Sequence, residues 1–168
     1  MQVPVSSTAV TALPPNETVV LPKTSESETL LRIRHSMSHV MAMAVQKLFP
    51  KAQVTIGPWT ESGFYYDFDN PDPFTEADLK AIRKEMIKII NRKLPLQRLE
   101  VDRAEAEAKI TAQNEPYKLE ILAGIQEPIS LYTLGDDWWD LCAGPHVANT
   151  SELNPKAFEL ESVAGAYW

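Results

Sequence analysis

The three histidines and the single cysteine of this chain all fall in two short motifs with the same spacing. His35 and His39 form an H-x-x-x-H motif, and Cys142 and His146 form a C-x-x-x-H motif. Side chains four residues apart on a helix project from the same face, about one turn apart. Because all the imidazole and thiol groups are placed in two such pairs, we expect the motifs to face each other and form one site.

Three nitrogens and one sulfur suit several kinds of site. All four groups together could close a tetrahedron around a structural zinc ion, whereas a catalytic zinc needs one position open for water. Without a metal, a histidine could act as general base toward water, oriented by Asp140. Cys142 as a covalent nucleophile is a third alternative. The alternative to all three is that the histidine pair simply lies at the surface of a helix and has no function.

The bulk composition is ordinary for a globular protein. The 168 residues are 44% hydrophobic and 23% charged, which suits one domain with a sizeable core. No apolar run approaches the about 18 residues of a membrane span, and one cysteine excludes an internal disulfide. The net charge of -7 argues against a stand-alone nucleic-acid-binding protein.

One predicted helix carries a basic stripe made of Lys80, Lys84, Lys88 and Arg92. This stripe is either a solvated face or a phosphate contact.

The sequence predicts an irregular tail followed by a domain that begins with a long helix. Residues 1–27 are rich in Thr, Ser, Val and Pro and lack the early basic residues of a signal peptide, so we expect a flexible tail. Apolar residues recur with a helical period over residues 27–49, and this helix carries the first motif along one edge of its apolar face. A capping box opens a second long helix, from Thr75 to about Lys93.

Shorter elements are predicted for the rest of the chain. In order they are a hairpin-like unit over residues 53–68, a strand at 96–101, a helix capped by Asp102, a helix at 117–125, a strand at 129–134, a run from Trp138 into the second motif, and a closing strand at 157–163. Helices and strands alternate without a strict βαβ rhythm. We therefore predict an α+β fold with an antiparallel or mixed sheet, whose long first helix carries the H-x-x-x-H motif.

Five stretches of the chain together resemble a known family. In chain order they are RHSMSH at residues 34–39, IGPWTESGFYYD at 56–67, NEPYK at 114–118, DLCAGPH at 140–146 and SVAGAYW at 162–168. Over residues 28–168 the chain resembles the editing domain, the second N-terminal domain, of bacterial threonyl-tRNA synthetases. It is more distantly similar to the editing domains of alanyl-tRNA synthetases and to free-standing alanyl-tRNA deacylases.

The resemblance implies an activity. In that family the editing domain hydrolyses seryl-tRNA(Thr), the misacylated product. Serine lacks one methyl group of threonine, which gives a synthetic site only ~1–3 kcal/mol of discrimination. The editing site then admits serine and excludes threonine by collision with the methyl group. The alternatives are a non-catalytic zinc-binding or tRNA-docking module and a trans-acting deacylase of the alanyl type.

The resemblance also carries functional residues onto seven positions of this sequence, which are His35, His39, Tyr66, Lys118, Asp140, Cys142 and His146. We assign catalysis to three of them. His35 and Lys118 position and activate the attacking water, and Asp140 binds the seryl amine or hydroxyl. The other two histidines and the cysteine shape the pocket and hold the terminal ribose, while Tyr66 forms a wall.

The same resemblance implies that editing requires no cofactor, because the threonyl family's editing domain works without metal. The alanyl relatives bind zinc through the matching motifs. A possible zinc ion in this chain would take His35, His39, Cys142 and His146 as its ligands.

The expected partners are the acceptor 3' end of tRNA(Thr), its seryl moiety and the remainder of the synthetase. We expect a cytoplasmic protein with no membrane contact. Residues 28–168 account for the editing domain alone, so the catalytic and anticodon-binding domains of a full synthetase are absent and we expect no aminoacylation by this chain. Ala143 stands where the family commonly has arginine, which removes a tRNA contact if that arginine makes one.

Overall fold

The computed structural model describes residues 25–168, with side chains described from Glu28 onward. The first helix, α1, runs over Ser25–Leu48, within two residues of the predicted bounds. The predicted tail of residues 1–27 lies outside the described residues, apart from its last three positions, which are already helical. The helix ends just before Pro50, which cannot donate a helical hydrogen bond.

The predicted hairpin-like unit is present, but its strands are short. Strand β1 (Gln53–Val54) pairs antiparallel with β2 (Phe68–Asp69), and an isolated bridge joins Trp59 to Phe64 nearer the turn. Pro58 offers no backbone N–H to a ladder, which limits regular strand pairing next to Trp59. Backbone hydrogen bonds nevertheless continue between these contacts, because the Thr55 N–H donates to the Asp67 carbonyl at 3.1 Å and the Asp67 N–H donates to the Ile56 carbonyl at 2.9 Å.

A second long helix packs against the apolar face of α1. Helix α2 (Glu76–Asn91) begins at the predicted capping box: the Thr75 side chain accepts from the backbone of Asp78, whose carboxylate accepts from the backbone of Thr75. The stripe that includes Ile82 and Met86 is buried in the main core. The predicted helix bounds and cap are thus confirmed.

The basic stripe predicted on α2 lies along its solvent side. Lys88 pairs with Glu85 at 3.5 Å, and Arg92 pairs with Asp137 at 2.6 Å. The pair between Arg92 and Asp137 is exposed and contributes little to stability, whereas the carboxylate that pairs with Lys88 is itself buried. Two of the four cations are nevertheless matched by carboxylates of the chain itself, which favours the solvated face over a phosphate contact.

The main sheet has three antiparallel strands in the order β3-β4-β5, and these are β3 (Leu96–Val101), β4 (Ile129–Leu134) and β5 (Trp138–Leu141). Gly135, with a φ of 61°, makes the tight turn from β4 to β5. The sheet thus delivers the chain from β5 directly into the second motif.

Two short helices connect β3 to β4. They are α3 (Arg103–Ala112), which Asp102 caps as predicted, and α4 (Pro116–Ala123). Ile110 and Leu122 from these helices form a second buried cluster with the sheet. Helices combined with antiparallel strands confirm the predicted α+β class. Within the described part of the chain, no helix is long and apolar enough to cross a membrane.

The predicted closing strand at residues 157–163 is wrong. Phe158 and Leu160 are partly buried against the main core and alternate with exposed residues, so the pattern that predicted a strand is present. The segment nevertheless has no strand assignment. Its Phe158 carbonyl accepts from Nε of Arg83 at 3.3 Å, and Glu159 pairs with the same guanidinium at 3.1 Å. A side chain of α2 therefore holds this segment where a neighbouring strand was expected.

Gly57 packs directly against the ring of Tyr66. A Cβ added at Gly57 would overlap that ring, whereas one added at Gly63 would meet no atom within 4 Å. The Gly57 carbonyl also accepts from the hydroxyl of Ser38 on α1 at 2.8 Å. The missing side chain at residue 57 therefore sets how closely the first arm of the hairpin-like unit approaches Tyr66 on its second arm.

We expect Gly57→Ala to lower the free energy of unfolding by about 1–3 kcal/mol, the usual range for overpacking, because the Tyr66 ring must move. Denaturant unfolding followed by circular dichroism measures this change. Gly63→Ala is the matched control and should stay within about 0.5 kcal/mol of the parent protein. Equal stability of the two variants would show that the ring does not depend on the glycine.

Candidate functional site

The structure brings the two motifs together. Sγ of Cys142 lies 3.5 Å from Nε2 of His35 and 3.3 Å from Nε2 of His146. The ring of His39 lies 4.2 Å from that of His146, centroid to centroid. One potential ligand atom from each of the four residues lies within 4.8 Å of the others. The chain therefore gathers its imidazole and thiol groups in one place, as expected.

The first motif lies on α1, where one helical turn separates its two rings. His35 is half-buried, while His39 is only 2% exposed. The ring centroids are 5.1 Å apart with nearly perpendicular planes. The motif thus offers one imidazole near solvent and one inside the core.

The second motif is a loop. Residues 142–146 follow β5, and Gly144 has a φ of 82°, a left-handed conformation that suits glycine. Its N–H donates to Sγ of Cys142 at 3.2 Å, and a Cβ at this position would lie 2.7 Å from Oη of Tyr132. A tight loop, and not a helical turn, therefore places the thiol beside His146.

Asp140 receives contacts from several parts of the fold. The Tyr66 hydroxyl donates to Oδ2 at 2.7 Å, and the Leu141 N–H donates to Oδ1 at 2.8 Å. Nζ of Lys118 lies 3.3 Å from Oδ1, and Nε2 of His39 lies 3.5 Å from Oδ2. Lys118 is 1% exposed, so the ammonium and the carboxylate form a buried ion pair.

Lys118 lies on the Asp140 side of the site. Its Nζ is 4.8 Å from the centroid of the Trp139 ring, a cation–π arrangement. His35 instead makes a hydrogen bond at 3.0 Å with the carbonyl of Pro145. The two residues assigned to water activation therefore have different partners, and a shared water would have to bridge them.

Burial keeps the imidazoles uncharged at neutral pH. Desolvation lowers the pKa of all three imidazoles, and His35 and Lys118 add to the effect at His39, whose pKa lies well below its usual range. Desolvation raises the pKa of the Cys142 thiol to about 12. The contact between His39 and Asp140 is therefore not an ion pair, and the cluster holds neutral imidazoles and a thiol.

The same four side chains could hold a metal ion. In a tetrahedral zinc site, neighbouring nitrogen and sulfur ligands are about 3.5 Å apart, and both sulfur–nitrogen distances fit this value. Nδ1 of His35 and Nδ1 of His146 lie 3.0 Å from the Pro145 carbonyl and the Ser36 hydroxyl respectively. Such contacts orient metal-bound histidines. The donor set therefore fits zinc, provided that the metal deprotonates the thiol.

Two residues near the site were not singled out from the sequence. Ser36 lies four residues before Val40 on the apolar face of α1, where a hydroxyl needs a partner, and it contacts His146. Gln46 follows His39 by seven residues and so shares its face. Its amide donates to Glu115 at 2.7 Å, and its carbonyl accepts from Nε1 of Trp138 at 2.8 Å. Helical spacing was the available signal for both residues.

The chain is similar to known proteins, and part of this similarity covers the site. The family described as "Threonyl and Alanyl tRNA synthetase second additional domain" matches residues 129–165, which include Asp140 and the second motif. The chain is 81% identical over 165 residues to a threonine--tRNA ligase of Parasynechococcus marenigrum (strain WH8102), covering 98% of the chain and 27% of that protein. Its identity to the threonine--tRNA ligase of Synechococcus elongatus is 75% over 159 residues, which are 95% of the chain and 26% of that protein.

A third threonine--tRNA ligase, from Synechocystis, is 71% identical over 152 residues, which are 90% of the chain and 25% of that protein. The chain thus spans about a quarter of the length of the curated relatives it matches. High identity extends over nearly all of the chain, and the family match covers the segment with the second motif. The chain therefore belongs with the threonyl-tRNA synthetases and corresponds to their N-terminal editing region.

Proposed function

We propose that this chain hydrolyses seryl-tRNA(Thr), removing serine that a threonyl-tRNA synthetase has attached in error. The observation that carries the proposal is the meeting of Lys118, Asp140 and Tyr66 with the histidine and cysteine cluster in one buried site. Similarity to threonine--tRNA ligases supports it. The acceptor 3' end of tRNA(Thr) brings the seryl ester to the site, and the remainder of the synthetase holds the rest of the tRNA.

His35 is the general base in this proposal. Its Nδ1 faces the carbonyl oxygen of Pro145, which can only accept, so Nδ1 carries the ring proton and Nε2 keeps a lone pair. The attacking water gives a proton to Nε2 while its oxygen bonds to the ester carbonyl carbon. The proton then passes to the ribose oxygen as the ester bond breaks, which releases serine and free tRNA.

Lys118 and Asp140 supply the charges. The ammonium of Lys118 is held 3.3 Å from Oδ1 of Asp140, so its positive charge is in place before the reaction begins. Such a fixed charge orients the water and stabilises the negative charge that develops as the water attacks. Asp140 binds the seryl amine or hydroxyl, because a buried ammonium group requires a negative partner.

The exclusion of threonine is steric, with Tyr66 as the wall. The ring stacks on Phe68 at a centroid distance of 4.9 Å, packs against Gly57 and donates its hydroxyl proton to Asp140. Burial raises the pKa of Tyr66 well above its usual value, so the hydroxyl remains a donor. A ring held at several points does not move aside for the additional methyl group of threonine.

Cys142 has no covalent role in this mechanism. The thiolate is the nucleophilic form of cysteine, and a thiol with a pKa of about 12 is almost entirely protonated at neutral pH. We therefore assign Cys142, together with His39 and His146, to shaping the pocket and holding the terminal ribose.

A zinc-binding module that docks tRNA without catalysis is the second candidate. The sulfur–nitrogen distances of 3.5 and 3.3 Å favour it, because they match the edges of a zinc tetrahedron. All four ligand positions would then be filled by His35, His39, Cys142 and His146, and a closed shell leaves no place for a reacting water.

We expect the chain to hydrolyse Ser-tRNA(Thr) and to spare Thr-tRNA(Thr). Release of labelled amino acid from each substrate measures the two rates. The assay is run at low salt and high tRNA concentration, because electrostatic binding of tRNA strengthens as the salt concentration falls. Loss of both amino acids at the rate seen in buffer alone would contradict the proposed activity.

His35→Ala and Lys118→Ala should each slow hydrolysis at saturating Ser-tRNA(Thr) by roughly 10²-fold, the scale expected for loss of a group that activates water. Single-turnover rates measure the effect, and circular dichroism checks that each variant is folded. Cys142→Ala should keep appreciable turnover. A trapped acyl-enzyme, or complete loss of activity in a folded Cys142→Ala protein, would instead establish the cysteine as nucleophile.

The purified chain should contain far less than one zinc ion per molecule, and a chelator should leave its hydrolysis of Ser-tRNA(Thr) unchanged. Elemental analysis and rates with and without EDTA test this. Cys142→Ala serves as a control, because it removes one of the four possible ligands. Stoichiometric zinc that is lost in this variant, together with an inactive parent protein, would favour the docking module.

A further inference from the structure

Ser36 is a buried serine tied to the second motif. Its Oγ lies 3.0 Å from Nδ1 of His146, and it accepts from the N–H of Val147 at 3.0 Å. The residue is 0% exposed and lies in the interior of α1. A hydroxyl is unfavourable in such a place unless it is partnered. Both of these partners are more than 100 residues away in the sequence, so the contacts belong to the tertiary structure of the site.

The direction of the hydrogen bond between Ser36 and His146 follows from which of the groups around the Ser36 hydroxyl can donate and which can accept. The N–H of Val147 can only donate, and the Ser36 hydroxyl has a single proton. Because this hydroxyl is buried, its proton needs an acceptor. Within the described part of the chain, the contact that can accept it is Nδ1 of His146. The neutral ring then carries its own proton on Nε2, which faces Sγ of Cys142 at 3.3 Å.

We propose that Ser36 is a positioning residue that fixes the orientation and the tautomer of His146 and holds the loop of residues 142–147 against α1. Two adjacent histidines then differ in chemical character. The rings of His35 and His146 stack at a centroid distance of 4.0 Å. His35 presents a lone pair on Nε2, while His146 presents an N–H.

This difference assigns separate tasks to the two rings, and here the inference rests on the proposed function. The lone pair of His35 takes the proton of the attacking water. The N–H of His146 points at Sγ of Cys142, so this ring offers no lone pair there and does not compete for that proton. Without Ser36 the ring of His146 could adopt either tautomer, and a second lone pair could face the water.

Ser38 provides a matched comparison within the same motif. It is also 0% exposed, and its hydroxyl lies 2.7 Å from the carbonyl oxygen of His35 and 2.8 Å from that of Gly57. Ser36→Ala and Ser38→Ala each remove one buried hydroxyl with two hydrogen-bond partners from α1. A general loss of helix stability should therefore appear in both variants, whereas a change at His146 should appear in Ser36→Ala alone.

Nitrogen-edited NMR of the imidazole rings in the full chain tests the proposal. The chain has three histidines, so three ring systems are observed. After chelation of any metal, we expect His146 at neutral pH to carry its proton on Nε2, with its two nitrogens resonating far apart. Ser36→Ala should move these two resonances toward each other as the tautomers exchange, and Ser38→Ala should leave them as in the parent protein.

Kinetics give the second measurement. Ser36→Ala should lower the single-turnover rate at saturating Ser-tRNA(Thr) by roughly 10- to 100-fold, the scale of a misplaced active-site group, and Ser36→Thr, which keeps the hydroxyl, should recover part of that loss.

A parent His146 with averaged resonances, or with its proton on Nδ1, overturns the proposal without any variant, as does an unchanged His146 in folded Ser36→Ala. The NMR measurement needs no tRNA. The expected tautomer in a chain that does not hydrolyse Ser-tRNA(Thr) would therefore refute the proposed function and support the role of Ser36.

Discussion

The site depends on keeping one carboxylate out of water. Asp140 is buried, and a buried charge is costly unless it is paired and hydrogen-bonded. Its partners come from three separate parts of the fold: Lys118 from α4, Tyr66 from the segment before β2, and His39 from α1. Displacing any one of these parts would leave the carboxylate undersatisfied. The requirement to neutralise Asp140 therefore holds the long helix, the hairpin unit and the short helix in a common arrangement around β5.

Beyond Asp140 the site divides into a charged half and a neutral half. Burial next to the Lys118 ammonium lowers the pKa of His39, and burial likewise keeps His146 neutral and Cys142 protonated. A neutral imidazole in a poorly solvated place retains its lone pair for a proton from water. The same set of nitrogens and sulfur is also what a zinc ion requires. The same arrangement of residues can thus serve a metal-free hydrolase or a zinc site. Which of the two it forms depends more on whether the Cys142 thiol is deprotonated than on where the residues lie.

Sequence patterns that act over a few residues predicted most of the helices and strands. The predictions that failed depended on contacts between residues far apart in the chain. The helix bounds, the capping box at Thr75 and the strands of the main sheet follow from periodicity and capping, which act over a few residues. The segment at 157–163 alternates between partly buried and exposed residues, as a strand would. Such alternation reports burial and does not show backbone pairing, and here the Arg83 side chain, not a neighbouring strand, contacts the segment. The spacing of the second motif is compatible with a helix, yet Gly144 turns it into a loop.

The sequence alone determined which groups are available for chemistry: it carries its imidazoles and thiol in two spaced pairs, and five ordered stretches resemble an editing region. Only the tertiary structure decided how those groups are arranged and which partners they have. It placed the Lys118 ammonium beside Asp140, and it placed the Ser36 hydroxyl beside Nδ1 of His146. The physical reason is that hydrogen-bond direction, desolvation and tautomer depend on partners from different elements of the fold, which for Ser36 and His146 are 110 residues apart in the chain. Such partners leave no period in the sequence and meet only when the helix and the loop pack together.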